Sequence, residues 1–561
     1  MAIEVVTTPG AIQTLPSAGA GASITPSGTA WANSAYAQIS AAVGSDLILL
    51  GVTVAIALGA DYEVDIATGG AGSETVIATV TGCDQFAVMS NGYHPLSIPI
   101  DNIPNGARLA ARLRKTGSST TAVLVSVQVL AKPASGVSVT TNPSKVFPSA
   151  ANSATVSTGS NNFTPTAYTQ VVAATADAIV LAGVCVCVSN SFGELSQTEI
   201  DIAIGAAGSE VVVTTVRTDA TTGASAYFAL RPLLDNIPSG SRIAVRARSN
   251  NSIGNASIRL VYYNKTGLGV VTNLLTTKPL KWFPPAAANI QVVPANGSWG
   301  SGTPAQFSAS LPNNSQVVAM AIGAGSGGEK EYDLMIGGAG AEVSQSTSRV
   351  RYVDNTSNGY TSPHLPFPID KFPAGSRLSV RVRQNGGGVG SSIALGYYEN
   401  CDAGLLSTLG LFSLPAAADG ISLTPNGSAW ANSTWVELTA ASGTNVGVVS
   451  LHVIEGVTSV EYELDLGTGA AGSETVVATH RGYSTTNNGV KELMFYVPYQ
   501  IQVSSRLAVR LRKAGTSTTA WTVGATLATL ATIAPTGGLR RNAALDGLSA
   551  SGTFFDNPAA A

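Results

Sequence analysis

Four copies of one charge pattern, spaced 136 or 132 residues apart, run through the 561-residue chain and set its organisation. The copies read Glu63, Asp65, Gly72, Glu74; Glu199, Asp201, Gly208, Glu210; Glu331, Asp333, Gly340, Glu342; and Glu463, Asp465, Gly472, Glu474. Three arginines follow each copy at matching offsets: Arg108, Arg112, Arg114; Arg242, Arg246, Arg248; Arg377, Arg381, Arg383; and Arg506, Arg510, Arg512. The period far exceeds the ~20–50 residues of solenoid repeats. Each unit is long enough to bury a core of its own, so the chain is expected to be a string of four beads.

An apolar residue followed by proline opens each repeat: Leu15-Pro16, Phe147-Pro148, Phe283-Pro284 and Leu414-Pro415. These marks divide the chain into an N-terminal arm at 1–9, repeats at 10–138, 139–275, 276–405 and 406–534, and a C-terminal arm at 535–561. Short apolar runs follow, Leu47 to Leu58, Ala178 to Val188, Val317 to Ile322 and Val448 to Ile454. They are β-branched, flanked by glycine and without helix caps, which reads as strands buried on both faces. Tyr62-Glu63-Val64-Asp65-Ile66 alternates with period two and leads through a glycine-rich loop into a hairpin partner. The expected fold is all-β: four tandem antiparallel β-sandwich domains of jelly-roll type, about eight strands each. Segments around Thr140 to Ser144 and Gly267 to Lys278 are expected to be exposed linkers.

Residues i, i+4 and i+6 of a strand share a face. Arg108, Arg112 and Arg114 therefore point one way, and Glu63 and Asp65 share a face on their own strand. Where the two strands are neighbours, the result is a structural ladder of arginine–carboxylate pairs, repeated in all four copies. Two other readings stand beside it: an interface between beads or subunits, which bidentate arginine suits, and a cation site, which the nearby arginines disfavour.

Only 11% of residues are charged, against a usual ~25%. A charge-poor chain with 45% hydrophobic residues fits a rigid β protein with much of its surface packed against neighbours. The net charge of −3 supplies no attraction to nucleic acid. No apolar stretch reaches the ~20 residues that span a bilayer as a helix, so no membrane insertion is expected. Cys83, Cys185, Cys187 and Cys401 occupy unmatched positions, and Cys185 and Cys187 read as buried free thiols. No signal peptide is expected at Met1 to Gly10, and the lack of a disulfide framework fits folding in a reducing cytoplasm.

Catalytic and metal-binding patterns are not found. His94, His364, His452 and His480 do not recur between repeats and lack ligand spacing. The recurring acids are matched by arginines, which would spoil a general acid. No enzymatic activity, cofactor or metal is expected. Trp31, Trp299 and Trp430 follow a turn at the start of their repeats. They read first as packing residues and second as weak candidates for stacking on a glycan.

The stretches 63–80 (EVDIATGGAGSETVIATV) and 101–114 (DNIPNGARLAARLR) resemble a β-sandwich repeat of tailed-bacteriophage virion structural proteins, and the resemblance covers all four repeats. Fibre, tail-tip and head-decoration proteins belong to that group. The resemblance implies a non-enzymatic virion protein, synthesised in the host cytoplasm without a secretion signal and later assembled into the particle, most simply an oligomer on the tail or its fibres, partnered by copies of itself and by other virion proteins. The alternatives are a receptor-binding adhesion protein whose variable loops contact a host-surface glycan, and a head decoration protein. The C-terminal arm, with Arg540, Arg541, Phe554 and Phe555, is expected to dock on a partner subunit.

Overall fold

A computed structural model describes residues 12–529, apart from 18, 56–59, 83–90, 133–139, 158–162, 190–195, 221–224, 251–253, 269–274, 286, 296–298, 324–327, 353–368, 385–389, 401–410, 417, 441–445, 455, 457–459, 484–489 and 502–504. The described residues form an all-β protein of small, mostly antiparallel sheets without a helix. Repeat 1 holds β1 (Ile12–Leu15), β2 (Ala22–Ile24), β3 (Ala37–Ser40), β4 (Leu47–Ala55), β5 (Tyr62–Thr68), β6 (Thr75–Gly82), β7 (Asn91–Ile103), β8 (Leu109–Lys115) and β9 (Val123–Ala131). Repeat 2 holds β10 (Lys145–Phe147), β11 (Ala154–Ser157), β12 (Thr169–Val172), β13 (Ile179–Ser189), β14 (Ser196–Ile204), β15 (Val211–Ala220), β16 (Ser225–Ile237), β17 (Ile243–Ser249) and β18 (Asn255–Asn264).

In repeat 1 one sheet runs β3-β8-β5-β6, and the other runs β1-β9-β4-β7 with β2 also on β9. Repeat 2 repeats both orders, as β12-β17-β14-β15 and β10-β18-β13-β16 with β11 on β18. The two sheets of a repeat share one buried cluster, with Val64, Leu109 and Leu113 of one sheet against Val52, Val54 and Val125 of the other. The β5–β6 loop turns tightly because Gly69 and Gly72 take φ of +116° and +86°. A Cβ at Gly69 would also lie 2.9 Å from the Ser73 carbonyl oxygen.

The apolar runs have a specific reason. Along β4, Leu49, Val52 and Val54 enter the core of repeat 1, while Ile48 and Leu50 join the cluster of repeat 4. Along β13, Leu181, Val184 and Val186 enter the core of repeat 2, while Val180 and Ala182 join that of repeat 1. These strands are covered on both faces, so both residues of each alternating pair are apolar. Cys185 and Cys187 are buried on β13; Cys83 and Cys401 lie outside the described residues.

The repeats therefore do not close separate cores, which corrects the bead expectation. The expected linker near Thr140 is no exposed tether either. The Thr140 N–H donates to the Pro99 carbonyl and the Asp101 N–H to the Thr140 carbonyl, while Ser144 bonds to Thr79. Leu275–Thr276, in the second expected linker, pairs in parallel with β16.

Successive repeats meet where β6, or its equivalent, faces the first strand of the next repeat. Ala78 bridges Ser144 in parallel, and the Leu411 N–H donates to Ser346 Oγ at 3.2 Å. The fourth repeat makes the same contact with the first: Ile12 pairs in parallel with Ala478 on strand Thr475–Tyr483. Ser144, Leu411 and Ile12 each stand four residues before their repeat's proline, so the register is the same. The four repeats close a ring. At the closure, one sheet of repeat 4 and one sheet of repeat 1 merge into a nine-stranded sheet.

Because the cores are shared, Leu233→Ala, a repeat 2 side chain buried in the repeat 1 cluster, should cost about 2–5 kcal/mol. Calorimetry of the full chain should show repeats 1 and 2 melting together rather than in separate steps.

Candidate functional site at the repeat junctions

β8 lies beside β5 with Arg114 opposite Glu63 and Arg112 opposite Asp65. The expected cross-strand neighbours are thus real neighbours. Arg112 Nε donates to Asp65 Oδ2 at 2.9 Å, and Arg114 bridges Glu63 at 2.5 Å and Asp65 at 2.9 Å. Thr79 Oγ1 donates to the other Asp65 oxygen at 2.8 Å. In repeat 2, Arg246 and Arg248 hold Asp201, and Arg248 holds Glu199. In repeat 3, Arg381 and Arg383 hold Asp333, and Arg383 reaches Glu331 at 3.3 Å. In repeat 4, Arg510 and Arg512 hold Asp465, and Arg512 holds Glu463.

The outer rung closes the glycine loop. Arg108 meets Glu74, and Glu74 Oε2 accepts from the Gly72 N–H at 3.0 Å. Arg242–Glu210, Arg377–Glu342 and Arg506–Glu474 repeat it. The hydrogen bond to its own backbone N–H, with the Arg108 side chain behind it, holds Glu74 below the usual carboxylate range.

The acids of the ladder are buried and the arginines part-exposed. Glu63 is fully buried and Asp65 3% exposed, against 25% for Arg112 and 14% for Arg114. The reason lies in a second partner. Glu63 Oε1 accepts from Arg259 Nη2 and, at 2.8 Å, from the Ala150 N–H, both in repeat 2. Arg259 also donates to the Pro148 carbonyl, at 2.7 Å, and its guanidinium lies 4.8 Å from the Trp31 ring centre. This junction site thus combines a carboxylate, an arginine, the carbonyl of the entry proline and an aromatic face.

The same set recurs with a different donor strand. Glu199 pairs with Arg217, which donates to the Pro284 carbonyl at 3.0 Å and stands over Phe163. Glu463 pairs with Arg481, which donates to the Pro16 carbonyl at 2.7 Å and stands over Trp430. At the third junction Glu331 accepts from Ser413 of repeat 4. Beside Glu63, Glu199 and Glu463, a side chain accepts a backbone N–H of the next repeat. Asp61 accepts from Ser153 at 2.7 Å, Gln197 from Asn289 at 2.8 Å and Glu461 from Gly21 at 3.1 Å.

Trp31, Phe163, Trp299 and Trp430 all have positive φ. The faces of Trp31 and Trp430 lie on the junction arginines, and Trp31 Nε1 donates to Asn152 at 2.9 Å across a junction. Arg540, Arg541, Phe554 and Phe555 and both arms fall outside the described residues, as does His364. His94 is buried beside the Tyr62 hydroxyl, and burial pushes it down to about 4. His452 is enclosed by Ser450 and Thr526, and His480 packs edge-on against Tyr93 of repeat 1. Among the described residues no group of three or more His, Cys, Asp or Glu side chains could hold a metal ion.

Sequence reasoning missed Arg217, Arg259 and Arg481. A signal was present: Arg217, Arg349 and Arg481 each stand nine residues after the last loop glycine. It also missed Tyr36, Tyr168 and Trp435, which stack on the ladder arginines Arg112, Arg246 and Arg510 five residues after each turn aromatic.

No family model matches the chain, and no curated protein matches it. Among solved structures, a chain of the T13 IBDV viral particle is similar at 10% identity, with 70% of this chain and 74% of that chain covered and a TM-score of 0.16. It is a weak likeness to a viral capsid protein, and so loose a superposition assigns no function.

Two substitutions separate the layers of the site. Glu63→Ala leaves Arg259 buried and should cost about 3–5 kcal/mol. Arg112→Ala leaves Asp65 with Arg114 and Thr79 and should cost about 1 kcal/mol. Denaturant melts read both.

Burial raises the carboxyl of Glu461 above its ordinary 4.5, against the opposing pull of Arg481 and the Gly21 N–H. A raised carboxyl makes its stabilising contribution below pH 4.5 and loses it as pH climbs through the folded-state value. Glu461→Gln, which copies Gln197, should therefore be more stable than wild type at pH 7, with the gap closing toward pH 4.5. Paired melts across that range measure it.

Proposed function

We propose that this chain is a non-enzymatic structural protein of a virion, built as a ring of four jelly-roll domains at 10–138, 139–275, 276–405 and 406–534. The observation that carries the reading is where the repeated charges go. Each recurring acid is held by arginine inside its repeat, and Glu63, Glu199 and Glu463 also serve a junction. Groups committed to holding domains together are not poised for acid–base chemistry.

The strand order supports the jelly-roll part. Two four-stranded sheets that take the strands of a repeat as first, eighth, third, sixth and second, seventh, fourth, fifth have jelly-roll connectivity once the short β2 is counted with β1. Viral capsid and lectin domains use that architecture, so fold alone does not choose between them. The resemblance of 63–80 and 101–114 to tailed-phage virion repeats favours the virion, with a tail or fibre location as the finer reading. Copies of itself and other virion proteins would be the partners.

Mass spectrometry of purified particles of the source virus is the test. Peptides of this chain at a fixed copy number per particle are expected, with immunogold label on the tail. Label on the head would replace the tail by a decoration role, and absence from particles would end the virion reading. A glycan array should be blank; sugar binding abolished by Trp299→Ala would establish the adhesion reading instead.

A further inference from the structure

We infer that the junction between the fourth and first repeats is a separable docking interface governed by a one-arginine rule, in which the buried cation is supplied from either side. The inference rests on two positions that face each other across every junction.

The first position lies directly opposite the ladder glutamate on the strand after the glycine loop. It is Thr81 opposite Glu63, Arg217 opposite Glu199, Arg349 opposite Glu331 and Arg481 opposite Glu463. The second lies on the last strand of the following repeat, one residue before the partner of the apolar residue that precedes the entry proline. Register places Arg259, Ala394, Gly524 and Ser126 there.

Taken junction by junction, the pairs are Thr81 with Arg259, Arg217 with Ala394, Arg349 with Gly524, and Arg481 with Ser126. Each junction has one arginine and one small residue. The arginine reaches the same targets from either strand: Arg259, from the far side, and Arg217 and Arg481, from the near side, each pair with the ladder glutamate and donate to the entry-proline carbonyl. Each of these glutamates gives one oxygen to its part-exposed ladder arginine and the other to a single buried junction arginine. A second junction arginine would be buried with no carboxylate oxygen left to pair with, and none would leave that oxygen and the proline carbonyl without their guanidinium.

The fourth junction obeys this rule although Arg481 and Pro16, which meet across it, are 465 residues apart in the chain. Chain connectivity does not impose that contact, so its specificity resides in the surfaces themselves. The partner this surface fits is the opening strand of a repeat of this same type, here the chain's own β1.

Hydrogen exchange of the full chain tests the rule, because two amides report on two junctions. The Gly21 N–H is held by Glu461 at the closure, and the Ser153 N–H by Asp61 at the first junction. Arg481→Thr, which copies Thr81, should speed Gly21 exchange on the order of 100-fold and leave Ser153 unchanged. Ser126→Arg alone adds a second junction cation at Glu463, beside Arg481 and the ladder Arg512, and should also speed Gly21. The double variant Ser126→Arg/Arg481→Thr rebuilds the first-junction arrangement and should restore Gly21 to near the wild-type rate.

Light scattering adds a second readout. Arg481→Thr should form concentration-dependent head-to-tail oligomers through its two opened edges, and the double variant should be monodisperse. If Arg481→Thr unfolds the whole protein, both amides lose protection, and their recovery in the double variant supports the rule. Unchanged Gly21 exchange in Arg481→Thr, or a double variant no better than the single one, overturns it.

Discussion

A buried carboxylate shared between two cations is the interaction on which this architecture depends. Glu63, Glu199 and Glu463 each accept from a ladder arginine of their own sheet and from a junction arginine. Removing a glutamate strands a guanidinium that is at most 1% exposed. Buried ion pairs stabilise little against a hydrophobic alternative but penalise the loss of one partner severely. Such a site acts mainly as a register device: a repeat docked one residue out of place would take the entry-proline carbonyl away from its buried guanidinium and, at the first junction, Arg259 away from Glu63.

That register explains the rest of the composition. Strands such as β4 and β13 face their own core on one side and a neighbouring repeat on the other. Their outward residues are apolar or small where an isolated sandwich would carry polar ones. The low charge content follows from this double coverage. Closing the ring also hides an otherwise open sheet edge, since β1 pairs with strand Thr475–Tyr483 of repeat 4. Open edges invite uncontrolled pairing with other chains, and this one is covered by the molecule itself.

Third-repeat departures mark where the pattern relaxes. Pro304 stands at the position of Tyr36, Tyr168 and Trp435, so the aromatic over the central ladder arginine is replaced there. Its ladder glutamate accepts from the Ser413 hydroxyl of repeat 4. The fourth repeat lacks the Asp-Asn-Ile-Pro turn yet keeps the junction intact, which separates that turn from docking.

The repeat number, the β class and the cross-strand neighbours of the ladder were legible in the chain because strands write a period of two and arginine faces carboxylate within one sheet. Asp65 with Arg112 is local enough in topology to be read from spacing alone. The sharing of cores and the closure of the ring were not legible, because an apolar residue such as Ile48 looks the same whether it faces its own repeat or another. Arg259 was invisible for a related reason: it has no counterpart at its own position in the other repeats, and only three-dimensional register sets it opposite Thr81 and beside Glu63. Local pattern determined what each repeat is. Tertiary packing decided that the repeats are one body, since only the folded chain brings residues of different repeats within reach of a single buried charge.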